Sequence, residues 1–427
     1  MQTLMMLVAF MGAGPELGVR VGGGLVERDA VFVANPWFSA GGPDLKASFQ
    51  APLRFEVKTA EFREEDWDEP GDFGRIIRFL HFGKVFKLGT IAGLTLGHGT
   101  LVRRYHNGVD EDHHRTGTRF TWHSNLIEID AFADRLMGPP VLGGRIGLLA
   151  AGPFRLGATL AADMAAPKPF ILDVGPVEWD VPDEPGSISG TLNPDMAFQS
   201  MGMGTDQDAV DAPLLPRLSQ TRVLPAFGMD IELRAIDRKD IRTRIYADVN
   251  TVDAGWGTHF GLKGGFGVRG GFELDGHAEI MVFGPRYMWA PFDAGYLIDR
   301  WQPLVRHVEQ LTNGSGARMG FTLRNDGMIM GVNFADGTGG RRTDFTGFLR
   351  LVFTDYGVEG YWRHRSGRSR VKTLAPTNAM AALAGHMKVS DQIWVTMSAS
   401  RTWREVEEHL YEPFSELLVA VEMAATP

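Results

Sequence analysis

Residues 226–236 read Ala226-Phe227-Gly228-Met229-Asp230-Ile231-Glu232-Leu233-Arg234-Ala235-Ile236, and residues 241–250 read Ile241-Arg242-Thr243-Arg244-Ile245-Tyr246-Ala247-Asp248-Val249-Asn250. In the first run Phe227, Met229, Ile231 and Leu233 alternate with Gly228, Asp230, Glu232 and Arg234. In the second, Ile241, Thr243, Ile245, Ala247 and Val249 alternate with Arg242, Arg244, Tyr246, Asp248 and Asn250. Side chains of a strand point to opposite faces with period two, so each run is a two-faced strand. One face is apolar along its whole length and the other carries charges. A Lys or Arg facing lipid at mid-depth costs roughly 2–4 kcal/mol, so a strand in a membrane would turn the charged face into a lumen. This hairpin fits a membrane-spanning β-barrel better than a soluble sheet.

Working outward, the same pattern recurs along most of the chain. It is clear in 47–57, 154–164, 258–268, 272–283 and 393–403. It is less regular in 17–26, 86–101, 117–123, 126–134, 141–150, 317–324, 328–335, 344–354, 357–364, 380–389 and 414–423. With the opening hairpin these runs predict an all-β, antiparallel up-and-down barrel of about eighteen strands, range fourteen to eighteen, as one domain over 15–427. Connections after even strands in this count are tight: 124–125, 151–153, 237–240, 269–271, 326–327, 355–356 and 390–391. Asp326-Gly327 is a strong two-residue hairpin signal. Most connections after odd strands are long: 27–44, 102–116, 165–225, 284–316, 336–343, 365–379 and 404–413; the short links 135–140 and 251–257 depart from this. Bacterial barrels keep short turns periplasmic and long loops outside, which puts the N-terminus in the periplasm and makes 165–225 a long extracellular loop.

The segment 58–85 breaks the pattern, being long on the side of the short turns. Phe73, Ile76, Ile77 and Leu80 have helical spacing, so it reads either as a plug or as a periplasmic insertion. Residues 296–311 form a second amphipathic helix candidate. Residues 405–423 can be read as a strand or as a helix. Tyr287, Trp289, Tyr361, Trp362, Trp403, Tyr411 and Phe414 lie near the ends of runs, where interfacial girdles are found.

Of 427 residues, 44% are hydrophobic and 22% charged, as expected where only every second strand residue meets lipid. The 53 glycines are nearly double the usual share of about 7%, and many fall inside strands, permitting curvature and bulges. The absence of cysteine excludes disulfides, thiolate metal sites and cysteine nucleophiles. The net charge of −9 and the lack of a basic block argue against nucleic-acid partners. No apolar run reaches the roughly 18 residues of a membrane helix. Residues 1–14 read as a signal peptide or as an ordinary first strand.

The inward ladder is the best-supported functional surface. It comprises Arg155, Asp163, Asp230, Glu232, Arg234, Arg242, Arg244, Tyr246, Asp248, His259, Lys263, Glu273, Asp275, His277 and Glu279, with Glu232 opposing Arg244 across the turn. His98, Arg103, Arg104, Tyr105 and His106 fall at or beyond a strand end, as candidates for a pore mouth. Asp110–His114 concentrates carboxylate and imidazole without an established metal spacing. Asp206, Asp208 and Asp211 resemble the start of a calcium loop but lack its glycine and downstream glutamate, which favours a polar turn. The glycine run 261–271 lacks the Lys-Ser/Thr ending of a phosphate loop. Gly186-Ser-Ile-Ser-Gly190 lacks the central serine of a nucleophile elbow. No catalytic residues are assigned.

Taken together, these runs resemble the outer-membrane β-barrel proteins of Gram-negative bacteria. Ala92-Gly93-Leu94-Thr95-Leu96-Gly97-His98-Gly99-Thr100, followed by Tyr105-His106-Asn107, looks like an uncharacterised group of them from predatory and related bacteria. The resemblance implies location in the outer membrane, with its lipid and the barrel assembly machinery as partners. That machinery reads a terminal aromatic, where this chain has Met423-Ala-Ala-Thr-Pro427. A lumen of this size implies a pore for passive or selective passage of small polar solutes, without a cofactor. The alternatives are a plugged structural or adhesion barrel and an outer-membrane lipid hydrolase using the 98–124 histidines.

Overall fold

The computed structural model describes residues 15–425 except 27–28, 43, 69–70, 108–115, 137, 150–151, 168–220, 239, 269, 294–295, 297–311, 339–342, 367–378 and 408–409. The strands are β1 Glu16–Val26, β2 Asp29–Gly41, β3 Leu45–Gln50, β4 Leu53–Glu56, β5 Ile77–Phe82, β6 Phe86–Gly89, β7 Val102–Arg103, β8 Gly117–His123, β9 Ile127–Ala133, β10 Val141–Leu148 and β11 Phe154–Pro167. They continue as β12 Thr221–Asp237, β13 Ile241–Val252, β14 Gly255–Val268, β15 Phe272–Phe283, β16 Phe292–Asp293, β17 Gly314–Asn325, β18 Met328–Gly337, β19 Thr343–Val352, β20 Tyr356–Ser366, β21 Ala379–Ser390, β22 Ile393–Glu407 and β23 Leu410–Ala425.

Each wall strand pairs antiparallel with its neighbours, and β23 returns to pair with β1, Val21 lying opposite Val421. The sheet is a closed barrel. Counting β3 and β4 as halves of one strand, both paired with β2 and interrupted at Ala51-Pro52, it has twenty strands. The short β7 and β16 stand apart from the wall as a parallel pair.

The count exceeds the eighteen expected from sequence because two strands lie in segments read as connections. Asp29–Gly41 has no charged face: Val31 and Val33 pack on Val26 and Leu418, and Pro36 interrupts the run. Ile77–Phe82 is only six residues long, too short for period two and period 3.6 to be told apart. It pairs with β3 and β6, so 58–85 is not one insertion on the periplasmic side. Residues 57–76, with two 3-10 turns, fall instead among the long links. They dock at the rim through buried Asp66, which meets Arg54 at 3.3 Å, Arg63 at 3.6 Å and Arg75 at 3.7 Å, while Arg54 also reaches Glu416 at 2.9 Å. The helical reading of 405–423 gives way to β23, which is paired on both sides.

With twenty strands, every link on one end is short: 42–44, 83–85, 124–126, 149–153, 238–240, 269–271, 326–327, 353–355 and 391–392. The long links gather at the other end. The outward positions carry the apolar face. Leu160, Met229, Ile231, Val249, Phe260, Leu262, Ile280 and Met319 are exposed, Ile280 at 63%. So wide an exposed apolar band has no solvent in water that would stabilise it and matches a bilayer exterior.

Candidate functional site

The charged face of β12–β15 lies inside the barrel, and register brings its residues into rows. Asp230 stands opposite Asp248, Asp248 opposite His259, Tyr246 opposite Gly261, and Gly261 opposite Glu279, which faces Arg318. Glu232 lies opposite Tyr246, not Arg244. Arg238 and Ile241 exchange backbone hydrogen bonds where the hairpin closes, and the register shifts by one between Arg234 and Ile236. Glu232 therefore reaches Arg244 diagonally, at 3.6 Å.

Much of this wall is covered by a segment whose sequence reads as a strand end and pore mouth. The strand beginning at Phe86 stops at Gly89, and residues 91–107 leave the wall and run through the lumen as a closed loop. Its neck is Asn107. The backbone N–H groups of Ile91 and Asn107 donate to the Asn107 side chain (2.7 Å) and to the Ile91 carbonyl (3.1 Å), and the Asn107 amide donates to the Asp134 carbonyl at 2.7 Å. Leu94 and Tyr105 exchange backbone hydrogen bonds across it. Its tip needs glycine: Gly97 has φ +57°, and a Cβ there would lie 2.6 Å from Arg145 Nε.

The tip is clamped to the wall. The His98 ring stacks on Tyr246, centroids 3.9 Å apart, and its Nε2 lies 3.3 Å from Asp230 Oδ1. Thr100 Oγ1 donates to Asp248 at 2.6 Å. Arg318 donates to the carbonyls of Gly99 (2.9 Å) and His98 (3.2 Å) and to Glu279 at 2.6 Å. Glu279 also accepts from Tyr246 OH and lies 3.0 Å from His259 Nδ1, whose Nε2 lies 2.7 Å from Tyr287 OH. Asp230 in turn holds Arg145 at 2.7 Å.

A second segment, residues 284–293 with Tyr296, enters beside the first. Ala290 and Phe292 donate to the carbonyls of Thr100 and Leu101, and Val102-Arg103 pairs parallel with Phe292-Asp293. Tyr296 OH donates to Asp163 at 2.7 Å, and Arg363 holds Asp293 at 2.5 Å. Leu94, Leu96, Leu101, Val102, Tyr105, Tyr287 and Phe292 form an apolar core with wall residues such as Phe132, Val141 and Phe283. Tyr287 therefore lies in the interior with Trp289 packed at that core, and Tyr361 pairs with Phe348 on the inner face. None of the three belongs to an interfacial girdle.

The five residues expected at a pore mouth thus sit on the inserted segment. His98 is in the clamp and Tyr105 in the core. Burial lowers the pKa of His106. Arg103 is pushed down to about 9 by burial and by Arg318 beside it, and Arg104, also lowered by burial, lies over the Phe348 ring at 4.7 Å. Asp163, Asp230, Glu232, Tyr246, Asp248, His259 and Glu279 are buried under the two segments. Nearer the short-turn end, Arg242 lies 3.6 Å from Glu273 and 3.9 Å from Asp275, Arg324 meets both, and Arg234 meets Asp237 at 4.0 Å. His277 lies opposite Lys263. Asp206, Asp208, Asp211 and Asp110–His114 fall outside the described residues, as do 1–14 and 297–311.

The interior is filled unevenly. Below the tip of the first segment a cavity of about 240 Å3 is lined by His98, His123, Glu128, Arg145, Arg155, Glu232, Arg244 and Lys263, among others. Across the lumen, several inner positions of β21–β23 and β1 are small: Ala382 and Ala384 face Ser400 and Ser398, and Ala420 faces Gly22. Ala382, Glu359, Arg350 and His386 remain exposed on that side. Sequence parity identifies the wall positions. The residues clamping the insert, Arg318 above all, escaped the reading because parity does not say what an inward side chain meets.

No family model matches the chain, and no curated protein matches it. Among solved structures, the outer membrane protein OpdK from Pseudomonas aeruginosa aligns over 96% of this chain and 98% of its own, at 9% identity and TM-score 0.35. OccK2 (OpdF) of the same organism, solved in complex with glucuronate, aligns over 98% and 97% at 9% identity and TM-score 0.37. OccAB2 of Acinetobacter baumannii aligns over 97% and 98% at 8% identity and TM-score 0.34. At scores this low, the chain's own geometry has to carry the functional reading.

Proposed function

We propose that this barrel is a channel of the bacterial outer membrane that passes small polar solutes. Its short turns would face the periplasm and its long loops the outside. The observation that carries the reading is the uneven filling of the lumen. Two segments pack against β9–β17 and reach round to Arg363 of β20, while Arg350, Glu359, Ala382 and His386 on the inner side of β19–β21 stay exposed. A barrel of about this width encloses water unless something fills it, and among the described residues nothing covers that side. A solute would therefore pass between the clamped insert and that side of the wall. A hydrolase reading finds less support. Ser124 Oγ accepts from the Ile127 N–H at 3.0 Å and donates to the Ile127 carbonyl at 3.1 Å, which occupies it in the turn. Purified protein in a planar bilayer should give discrete conductance steps. Their absence from heat-modifiable, folded protein would leave a closed structural barrel as the reading.

A further inference from the structure

Three segments fold over the inner wall, and they are not held alike. Around residues 91–107 the contacts are short, Arg318 to Glu279 at 2.6 Å and Arg145 to Asp230 at 2.7 Å. The second segment is held as closely, by Arg363 on Asp293 at 2.5 Å and by Tyr296 on Asp163 at 2.7 Å. The third, residues 64–68 and 71–76 at the long-loop end, is tied to the wall through Asp66. Asp66 Oδ1 lies 3.3 Å from Arg54, 3.6 Å from Arg63 and 3.7 Å from Arg75, and Oδ2 is buried without a hydrogen-bond partner. Charge-assisted hydrogen bonds run at about 2.7–2.9 Å, so this attachment is loose. Arg54 belongs to the wall strand β4, while Arg63 and Arg75 lie at the two ends of the segment. One carboxylate oxygen therefore ties both ends to the wall.

The attachment faces the lumen. Arg54 stands opposite Val33 in register, and Glu416, which meets Arg54 at 2.9 Å, stands opposite Val26. Val26, Val31, Val33 and Leu418 share that inner face and form an apolar patch at the outer mouth, the three valines being 3%, 2% and 8% exposed. Apolar side chains turned toward a wet mouth are stabilised by a cover. The segment is built to lie down there. Asp72 and Arg75, three apart on one face of a 3-10 turn, are buried, while Phe73 and Ile76 on the next face are exposed.

Resting on the channel reading, we infer that residues 64–68 and 71–76 form a strap across the outer mouth, beside the side left open by the two inner segments, and that Asp66 is the latch whose release uncovers the valine patch and widens the entrance. Loss of the Asp66 charge breaks three ion pairs at once and leaves converging guanidiniums that repel one another.

The test is thiol accessibility in the purified, full-length protein, where Val31→Cys supplies the one thiol of the chain. It should react slowly with a bulky maleimide, and about tenfold faster when combined with Asp66→Asn. Arg75→Gln, which frees one end of the strap, should give an intermediate rate. Ala382→Cys, on the open side, should react at one rate in both backgrounds. A Val31→Cys thiol that reacts as fast with Asp66 as without it, or that stays slow in both Asp66→Asn and Arg75→Gln, overturns the strap. In a planar bilayer Asp66→Asn should raise the single-channel conductance above that of wild type, and an unchanged conductance overturns the strap's control of the entrance. Absence of any conductance overturns the channel reading, while the labelling rates still decide whether the strap covers the patch. Heat-modifiable mobility of each variant shows that it has folded.

Discussion

Gly261 shows how single residues shape this lumen. It lies on the inner face of β14 opposite Tyr246, and a Cβ built on it would overlap the tyrosine ring. The missing side chain is the space in which Tyr246 lies flat, and Tyr246 is the platform for His98. Gly257 leaves room for Tyr287 in the same way. Glycine in a strand often marks such a close approach. Gly261→Leu should therefore destabilise the barrel by about 1–3 kcal/mol, the usual effect of overpacking. The measurement is the urea midpoint of the heat-modifiable form. At this scale the sequence was legible in part. Parity separated Asp230, Tyr246 and Glu279 from their lipid-facing neighbours, because a strand admits only two directions. It did not show that these residues are buried, since what covers them comes from segments 91–107 and 284–293, outside the strands themselves.

Among the elements, the insert 91–107 depends on few contacts for its position. Arg318 bonds two of its carbonyls and neutralises Glu279, all in a buried setting. Removing one partner of a buried pair costs about 3–5 kcal/mol, because the other charge is left without compensation. Arg318→Ala should lower stability by that order and loosen the insert. The readout is larger and noisier single-channel current, together with faster hydrogen exchange at residues 97–101. Strands whose two faces meet different media were recognisable from the sequence. β2 was not, because its inner Val31 and Val33 meet other apolar side chains and leave no polar face to read. The insert was mistaken for strand because Gly93, Leu94, Leu96 and Gly97 alternate in type, while the positive φ of Gly93, Gly97 and Gly99 that bends the chain away has no signature in alternation.

For the molecule as a whole, two recovered strands change the topology of one region. With β2 and β5 in the wall, residues 57–76 move from the short-turn end to the long-loop end, and the segregation of link lengths becomes complete at the short-turn end. The chain has no cysteine, so single cysteines report orientation cleanly. In intact cells, an impermeant maleimide should label Thr59→Cys and leave Asp391→Cys unlabelled until the outer membrane is opened. Labelling in the reverse pattern would invert the barrel.

By itself, the sequence determined that the chain closes into a two-faced antiparallel barrel, which wall residues point inward, and which links are tight. Those follow from local rules: period two along a strand, the cost of charge in lipid, and the backbone demands of short turns. Only the tertiary structure decided the count of twenty, the side on which 57–76 lies, and what occupies the lumen. Each depends on contacts between residues far apart in the chain. The packing of Leu94, Val102 and Phe292 into one core, and the grip of Arg318 on Gly99, become possible only when the closed wall brings them together.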